Sequence, residues 1–170
     1  MIAWLTGPPA SGKTTLARRV RERLARPSVL LDSDEIREAL AMRGYSPAER
    51  DAFYAALGEL ALVLERQGLL VLVAATAAKR RYRDAVRARA SRFIEVHVRA
   101  SQHDREARDI KGLYARARAG DAPELPGAGV TYEQPLAPEV VADGGLDDSA
   151  LAEVLDLVGT QLAPTSARAG

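Results

Sequence analysis

Residues 5 to 17 read LTGPPASGKTTLA and fit G-x-x-x-x-G-K-[ST], with Gly7, Gly12, Lys13 and Thr14 at the fixed places. Such a loop has to be entered from a buried strand and left through a helix, because its backbone amides cradle phosphates at a helix start. The flanking residues comply. Ile2 to Leu5 is a short apolar run, and Leu16, Val20 and Leu24 recur at helical spacing among arginines. Gly7 suits the sharp exit from the strand, and Gly12 keeps a Cβ away from approaching phosphate oxygens. Lys13 is placed to reach the β- and γ-phosphates and Thr14 to set a hydroxyl on Mg²⁺. Ala10, Ser11 and Thr15 complete the donor-phosphate candidates.

Beyond the loop, apolar segments alternate with helical patterns. Val29–Leu31 is a second short strand, closed by Asp32-Ser33-Asp34, and a helix is expected from Glu35 to Met42. Ser46 as cap and Pro47 as first helical residue open a helix running to Arg66. Leu69 to Ala75 is continuously apolar, as a strand covered on both faces requires. A helix from Lys79 to Ala90, a strand over Phe93–Val98 and a basic helix from Glu106 to Ala119 follow. Gly120 to Pro138 reads as a loop that serves as lid or substrate loop. A last strand over Glu139–Ala142, a helix over Ser149–Leu162 and a disordered tail over 163–170 complete one domain, residues 1–162. This alternation predicts an α/β three-layer parallel sheet flanked by helices, with ligands at the carboxyl ends of its strands. The phosphate loop, Asp32–Asp34 and Thr76–Arg80 all fall there.

Composition removes several classes of function. The chain of 170 residues has no cysteine, which excludes disulfides and thiolate chemistry, and its two histidines are too few for a histidine-rich metal site. A net charge of +1 argues against a nucleic-acid binder. No basic leader precedes the first strand and no apolar run approaches the roughly 20 residues of a membrane span; a cytoplasmic location is expected.

The strand LLVLVAA ends in Thr76 and Ala77, so no acid stands where many phosphate-loop hydrolases order magnesium. The strand-end acids are Asp32 and Asp34. Asp34 and Arg37 lie three apart, on one helical face. A carboxylate there can take an acceptor's proton or order Mg²⁺ while Arg37 holds an anionic part of the acceptor; alternatively Asp32 or Asp34 only caps the next helix. Arg80, Arg83 and Arg87 form either a phosphate-facing wall or a solvated helix face. His97, inside a strand, is expected to be structural.

GPPASGKTT, LLDSDEIR, GYSPAER, FIEVHV, EARDIKGLYARARAG and YEQPLAPE, in that order, resemble the adenylylsulfate kinase family over roughly residues 2 to 143. The resemblance implies a P-loop nucleoside-triphosphate kinase fold, Mg-ATP as donor and the 3′-hydroxyl of adenosine 5′-phosphosulfate as acceptor. It implies catalytic roles for Lys13, Asp34 and Arg37, with Thr14 and Asp34 on the metal. Arg108 is implied against the ATP adenine. Tyr45, Arg50, Phe53, Thr76, Ala77, Lys111 and Leu125 are implied at the acceptor, and a homodimer is possible.

The departures from the family pattern cluster on the acceptor side. Phe53 stands in place of an asparagine, Ala55 and Ala56 in place of arginines, Thr76-Ala77-Ala78 in place of I-S-P, and Leu125 in place of a clamp aromatic. Losing one wall of a base clamp removes about 1–3 kcal/mol of stacking unless Phe53 or Tyr54 substitutes. They leave open a kinase of the same family with another nucleotide conjugate or biosynthetic intermediate as acceptor, and a non-catalytic nucleotide-binding module as a further reading.

Overall fold

In a computed structural model of the chain, β1 (Ile2–Thr6) is buried along its whole length. Ile2 and Trp4 enter one apolar cluster, and Ala3 and Leu5 enter another on the opposite face. A strand that is apolar on both faces has to lie inside a sheet covered twice. The structure describes residues 1–42, 44–99, 125–126 and 129–159.

Beside β1 stand β2 (Ser28–Asp32), β3 (Leu70–Ala74), β4 (Phe93–Arg99) and a late strand over Val140–Asp143. They form one sheet in the order β2, β3, β1, β4, late strand, and every pairing is parallel. Helices α1 (Lys13–Arg23) and the final helix (Asp148–Gly159) bury Leu16, Val20, Leu151 and Val154 on one face. On the other, α3 (Pro47–Arg66) and α4 (Arg80–Arg87) bury Phe53, Leu57, Tyr82 and Val86. The three layers expected from the alternation are therefore present. Among the described residues no helix is long and apolar enough to cross a membrane.

Most elements fall where the residue pattern puts them. α3 begins at Pro47, behind a reciprocal cap in which the Ser46 hydroxyl and the Glu49 side chain each accept the other's amide. It ends with Gly68 at φ 86°, while the Gly68 amide donates to Glu65 and that of Leu69 to Leu64. This left-handed closure is a Schellman motif.

α2 differs. It spans Ser33–Ala39 rather than Glu35–Met42, because Asp32 caps it from the end of β2 by accepting the Asp34 amide at 2.9 Å. Its far end closes as α3 does, with amides of Ala41 and Met42 donating to Glu38 and Arg37, but here the left-handed residue is Ala41, φ 53°.

The expected loop over 120–138 contains two short parallel strands, β5 (Leu125–Pro126) and β6 (Gly129–Val130), which makes Val140–Asp143 strand β7 and Asp148–Gly159 helix α5. The helix expected over 106–119, His103 and the tail 163–170 lie outside the described residues.

A methyl group in the left-handed region costs about 1–2 kcal/mol, part of which glycine returns as unfolded-chain entropy. Ala41→Gly is accordingly expected to stabilise the protein by about 0.5–1 kcal/mol, raising the melting midpoint by roughly 1–4 °C. Calorimetry showing an unchanged or lower midpoint would contradict this reading of the α2 end.

Candidate functional site

The carboxyl ends of β1, β2 and β3 meet at one rim. The chain leaves central β1 toward β2, and after β3 it crosses to the other side to build β4 and β7. This reversal opens a crevice above β1. Residues 7–12 turn there, with Ala10 at φ 58° and Gly12 at φ 97°. Gly12 is the N-cap of α1 with no side-chain cap, so the first amides of α1 are left for an anion. Ser11 is fully buried, and its hydroxyl has no hydrogen-bond partner among the described residues.

Both motif glycines are required by close approach. A Cβ on Gly7 would stand 2.1 Å from the Val98 carbonyl oxygen. A Cβ on Gly12 would stand 2.4 Å from the amide nitrogen of Gly145. The phosphate loop thus rests backbone to backbone on the β7–α5 turn, a contact the motif alone does not disclose. Arg19 pins that turn by donating to the Gly145 carbonyl at 3.2 Å and pairing with Asp148.

Lys13 folds back over the loop and donates to the carbonyls of Gly7 at 3.0 Å and Pro8 at 2.7 Å. Burial lowers its pKa to about 8, partly opposed by the charges of Asp34 and then Asp32. Asp34, exposed on the first turn of α2, thus lies near enough for its charge to act on the loop's lysine. Thr14, however, donates its hydroxyl to Asp32 Oδ2 at 2.5 Å. Asp32 is buried, and its other oxygen holds the Asp34 amide. The cap reading of Asp32 is thus correct, but the same carboxylate also joins the phosphate loop to α2.

On the acceptor side, Arg37 is buried rather than extended beside Asp34. Its Nη1 donates to the carbonyls of Met42 at 3.0 Å and Gly44 at 3.2 Å. Tyr45 is 41% exposed, which leaves it able to stack. Arg50 donates through Nε to the Tyr45 carbonyl at 2.6 Å, while its buried Nη2 has no partner among the described residues.

Two aromatic expectations need correction. Phe53 is fully buried and Tyr54 nearly so, stacked on Tyr82 at 4.6 Å. Neither replaces the missing clamp wall, because α3 turns both into the core. Ala77 is also fully buried, φ 42°; its amide donates to the Tyr54 hydroxyl at 3.1 Å, so it meets an acceptor through backbone at most. Thr76 is half-buried, its carbonyl accepting from Thr6 at 2.8 Å.

The arginines of α4 divide: Arg81 stays exposed and the Arg80 side chain is 40% exposed, whereas Arg83 is turned inward. Arg83, 1% exposed, pairs with Glu95 at 2.6 Å and donates to the carbonyls of Ala77 and Glu133. Arg87 pairs with Glu139 at 2.6 Å. The Glu133 carboxylate accepts the Arg80 amide at 2.8 Å, and Tyr132 shares a hydrogen bond with Thr6 at 3.1 Å. Tyr132 and Glu133 were not singled out among the site candidates. His97 is buried against Tyr132 with its pKa lowered, chiefly by burial, as a structural histidine should be. Arg108 and Lys111 lie outside the described residues, and Leu125 is described only as backbone of β5.

Among known proteins, the profile of the adenylylsulphate kinase family matches residues 1–143. An adenylyl-sulfate kinase of Synechococcus sp. (strain JA-3-3Ab) is 40% identical over 162 residues, covering 93% of this chain and 91% of that protein. One from Citrobacter koseri is 40% identical over 164 residues, covering 92% and 82%. The Mycobacterium tuberculosis APS kinase solved with AMPPNP and APS superposes with a TM-score of 0.85 at 34% identity, covering 93% of this chain and 96% of that one.

The lysine geometry has a pH consequence. Below about pH 8 Lys13 carries the charge that a triphosphate needs, and above it the ammonium is lost. Affinity of the free protein for a nucleoside triphosphate is expected to fall as pH rises through about 8. Lys13→Arg, which cannot deprotonate, should bind more weakly at neutral pH but without that limb. Titrations of a fluorescent triphosphate analogue between acidic and alkaline buffers measure both, and a flat wild-type profile would refute the assignment.

Proposed function

The chain belongs to the adenylylsulfate kinase family, and from that premise we propose that it transfers the γ-phosphoryl group of ATP to the 3′-hydroxyl of adenosine 5′-phosphosulfate. The observation that carries the proposal is the meeting, at one rim, of the Lys13 loop and the acids of α2. Thr14 and Asp32 are joined directly, and Asp34 lies within electrostatic reach of Lys13. The solved relative bound to AMPPNP and APS supports both substrates.

Each residue's part follows from its position. The uncapped start of α1 receives phosphate oxygens, and Lys13 gives up two loop carbonyls to neutralise charge developing on the β- and γ-phosphates. The acceptor oxygen attacks the γ-phosphorus, its proton passes to the Asp34 carboxylate, and the bond to the β-phosphate oxygen breaks to release ADP. Asp34 is suited to this because it is exposed at the rim. Tyr45 offers a face to the acceptor's base, and Arg50 Nη2, without a partner among the described residues, a donor to its anionic group. Lys111 and Arg108 are assigned to the acceptor and to the ATP adenine on the family resemblance.

The donor set fits Mg²⁺. Thr14, Asp32 and Asp34 offer a hydroxyl and two carboxylates, hard oxygen ligands of the kind magnesium takes in small number beside substrate phosphates. No cluster of three or more His, Cys, Asp or Glu side chains suited to a metal occurs among the described residues. When bound, the ion neutralises phosphate charge.

Asp34→Asn separates a catalytic acid from a binding one. It is expected to lower kcat by about 10²–10⁴-fold while ADP affinity stays within a few-fold. ADP release with adenosine 5′-phosphosulfate as acceptor, and ADP titration by calorimetry, measure the two. An unchanged kcat would remove Asp34 from the reaction.

A further inference from the structure

Arg37 and Phe53 form a unit that the acceptor reading above does not use. The Arg37 guanidinium carbon lies 3.7 Å from the centroid of the Phe53 ring and 4.7 Å from that of Tyr45. Phe53 is fully buried and Arg37 is 7% exposed, so this cation–π pair is held out of water, where it is strongest. The guanidinium also donates to the Met42 and Gly44 carbonyls, on either side of Arg43 and immediately before Tyr45. Arg50 holds the Tyr45 carbonyl, and its own guanidinium carbon lies 5.5 Å from the Tyr45 ring.

Two consequences follow. The depth at which Arg37 sits is set by the flat apolar floor that Phe53 provides, and Arg37 in turn sets where Tyr45 stands. Arg37 Nη1 is already committed to the turn, whereas Arg50 retains a buried donor with no partner among the described residues. A polar residue at position 53 would offer no such floor.

We infer that Phe53 is a positioning residue for the acceptor. Through Arg37 it fixes the Tyr45 ring on which the acceptor base stacks, and it draws Arg37 away from the acceptor's anionic group, which falls to Arg50. The inference rests on the acceptor assignment proposed above. It requires a selective effect: changes at residue 53 move recognition of the acceptor and leave that of ATP alone, since Arg37 is held by Phe53, Tyr45 and the Met42 and Gly44 carbonyls, whereas the loop's Lys13 and Thr14 are held by Gly7, Pro8 and Asp32.

The test uses the full chain with ATP and adenosine 5′-phosphosulfate. Phe53→Leu keeps an apolar side chain but removes the π face. Site-specific replacement of Phe53 by a trifluorinated phenylalanine keeps the ring and weakens only its attraction for a cation, so it serves even if the leucine variant folds poorly. The expected result is a rise in KM for the acceptor of about 5–20-fold for leucine and about 3–5-fold for the fluorinated ring, with KM for ATP within twofold. An acceptor KM unmoved by both replacements overturns the inference, as does a parallel rise in both KM values, which marks a general structural effect. If the unaltered protein does not consume adenosine 5′-phosphosulfate, the acceptor assignment itself falls, a result distinct from turnover that is indifferent to residue 53.

Discussion

One carboxylate holds the two halves of the crevice together. Asp32 ends β2 and accepts the Thr14 hydroxyl with one oxygen and the Asp34 amide with the other. Hydrogen bonds to a charged acceptor contribute about 1.5–3 kcal/mol, and here the directional consequence matters as much as the energy. The bond to Thr14 anchors the carboxylate to the first turn of α1. The bond to Asp34 aims α2 so that its first turn faces the loop and its last turn delivers Arg37 toward α3. From there the connection is continuous: Arg37 to the carbonyls of Met42 and Gly44, Arg50 to Tyr45, Ser46 and Glu49 capping α3.

A second framework supports the rim from beneath. Arg83, Glu95, Arg87 and Glu139 link α4, β4 and the approach to β7, while Arg83 also holds the carbonyls of Ala77 and Glu133. Burying a guanidinium with a carboxylate costs desolvation that the pair alone rarely recovers, so its extra acceptors are what make the arrangement tenable. They also tie residues that end β3 to those returning toward β7. Of the arginines along α4, Arg83 and Arg87 are thereby turned toward the buried Glu95, Arg83 almost completely, while Arg81 stays exposed.

What could be read from the residues depended on whether the deciding groups are close in sequence. α3 was legible at both ends because Ser46-Pro47 marks its start and Gly68 its stop. α2 was misjudged at both ends for the converse reason. Its start depends on which of two aspartates caps, and its stop uses alanine in a motif that usually announces itself with glycine. The phosphate loop was plain, but its dependence on Gly145 was not, since that contact joins distant parts of the chain. Arg37 shows the limit most clearly. Its residue type fits an anion-binding role, yet its direction is decided by Phe53 on another helix.

Three non-glycine residues with positive φ are found among the described residues, and all are alanines: Ala10 in the phosphate loop, Ala41 after α2 and Ala77 after β3. Each methyl disfavours the left-handed shape its backbone adopts, so each turn is held by the contacts around it rather than by its own residue. Ala77 shows such contacts: its amide donates to the Tyr54 hydroxyl and its carbonyl accepts from Arg83. Loosening those contacts would let the chain relax toward an ordinary backbone shape, so the form of these turns belongs to the packed protein and not to the local residues.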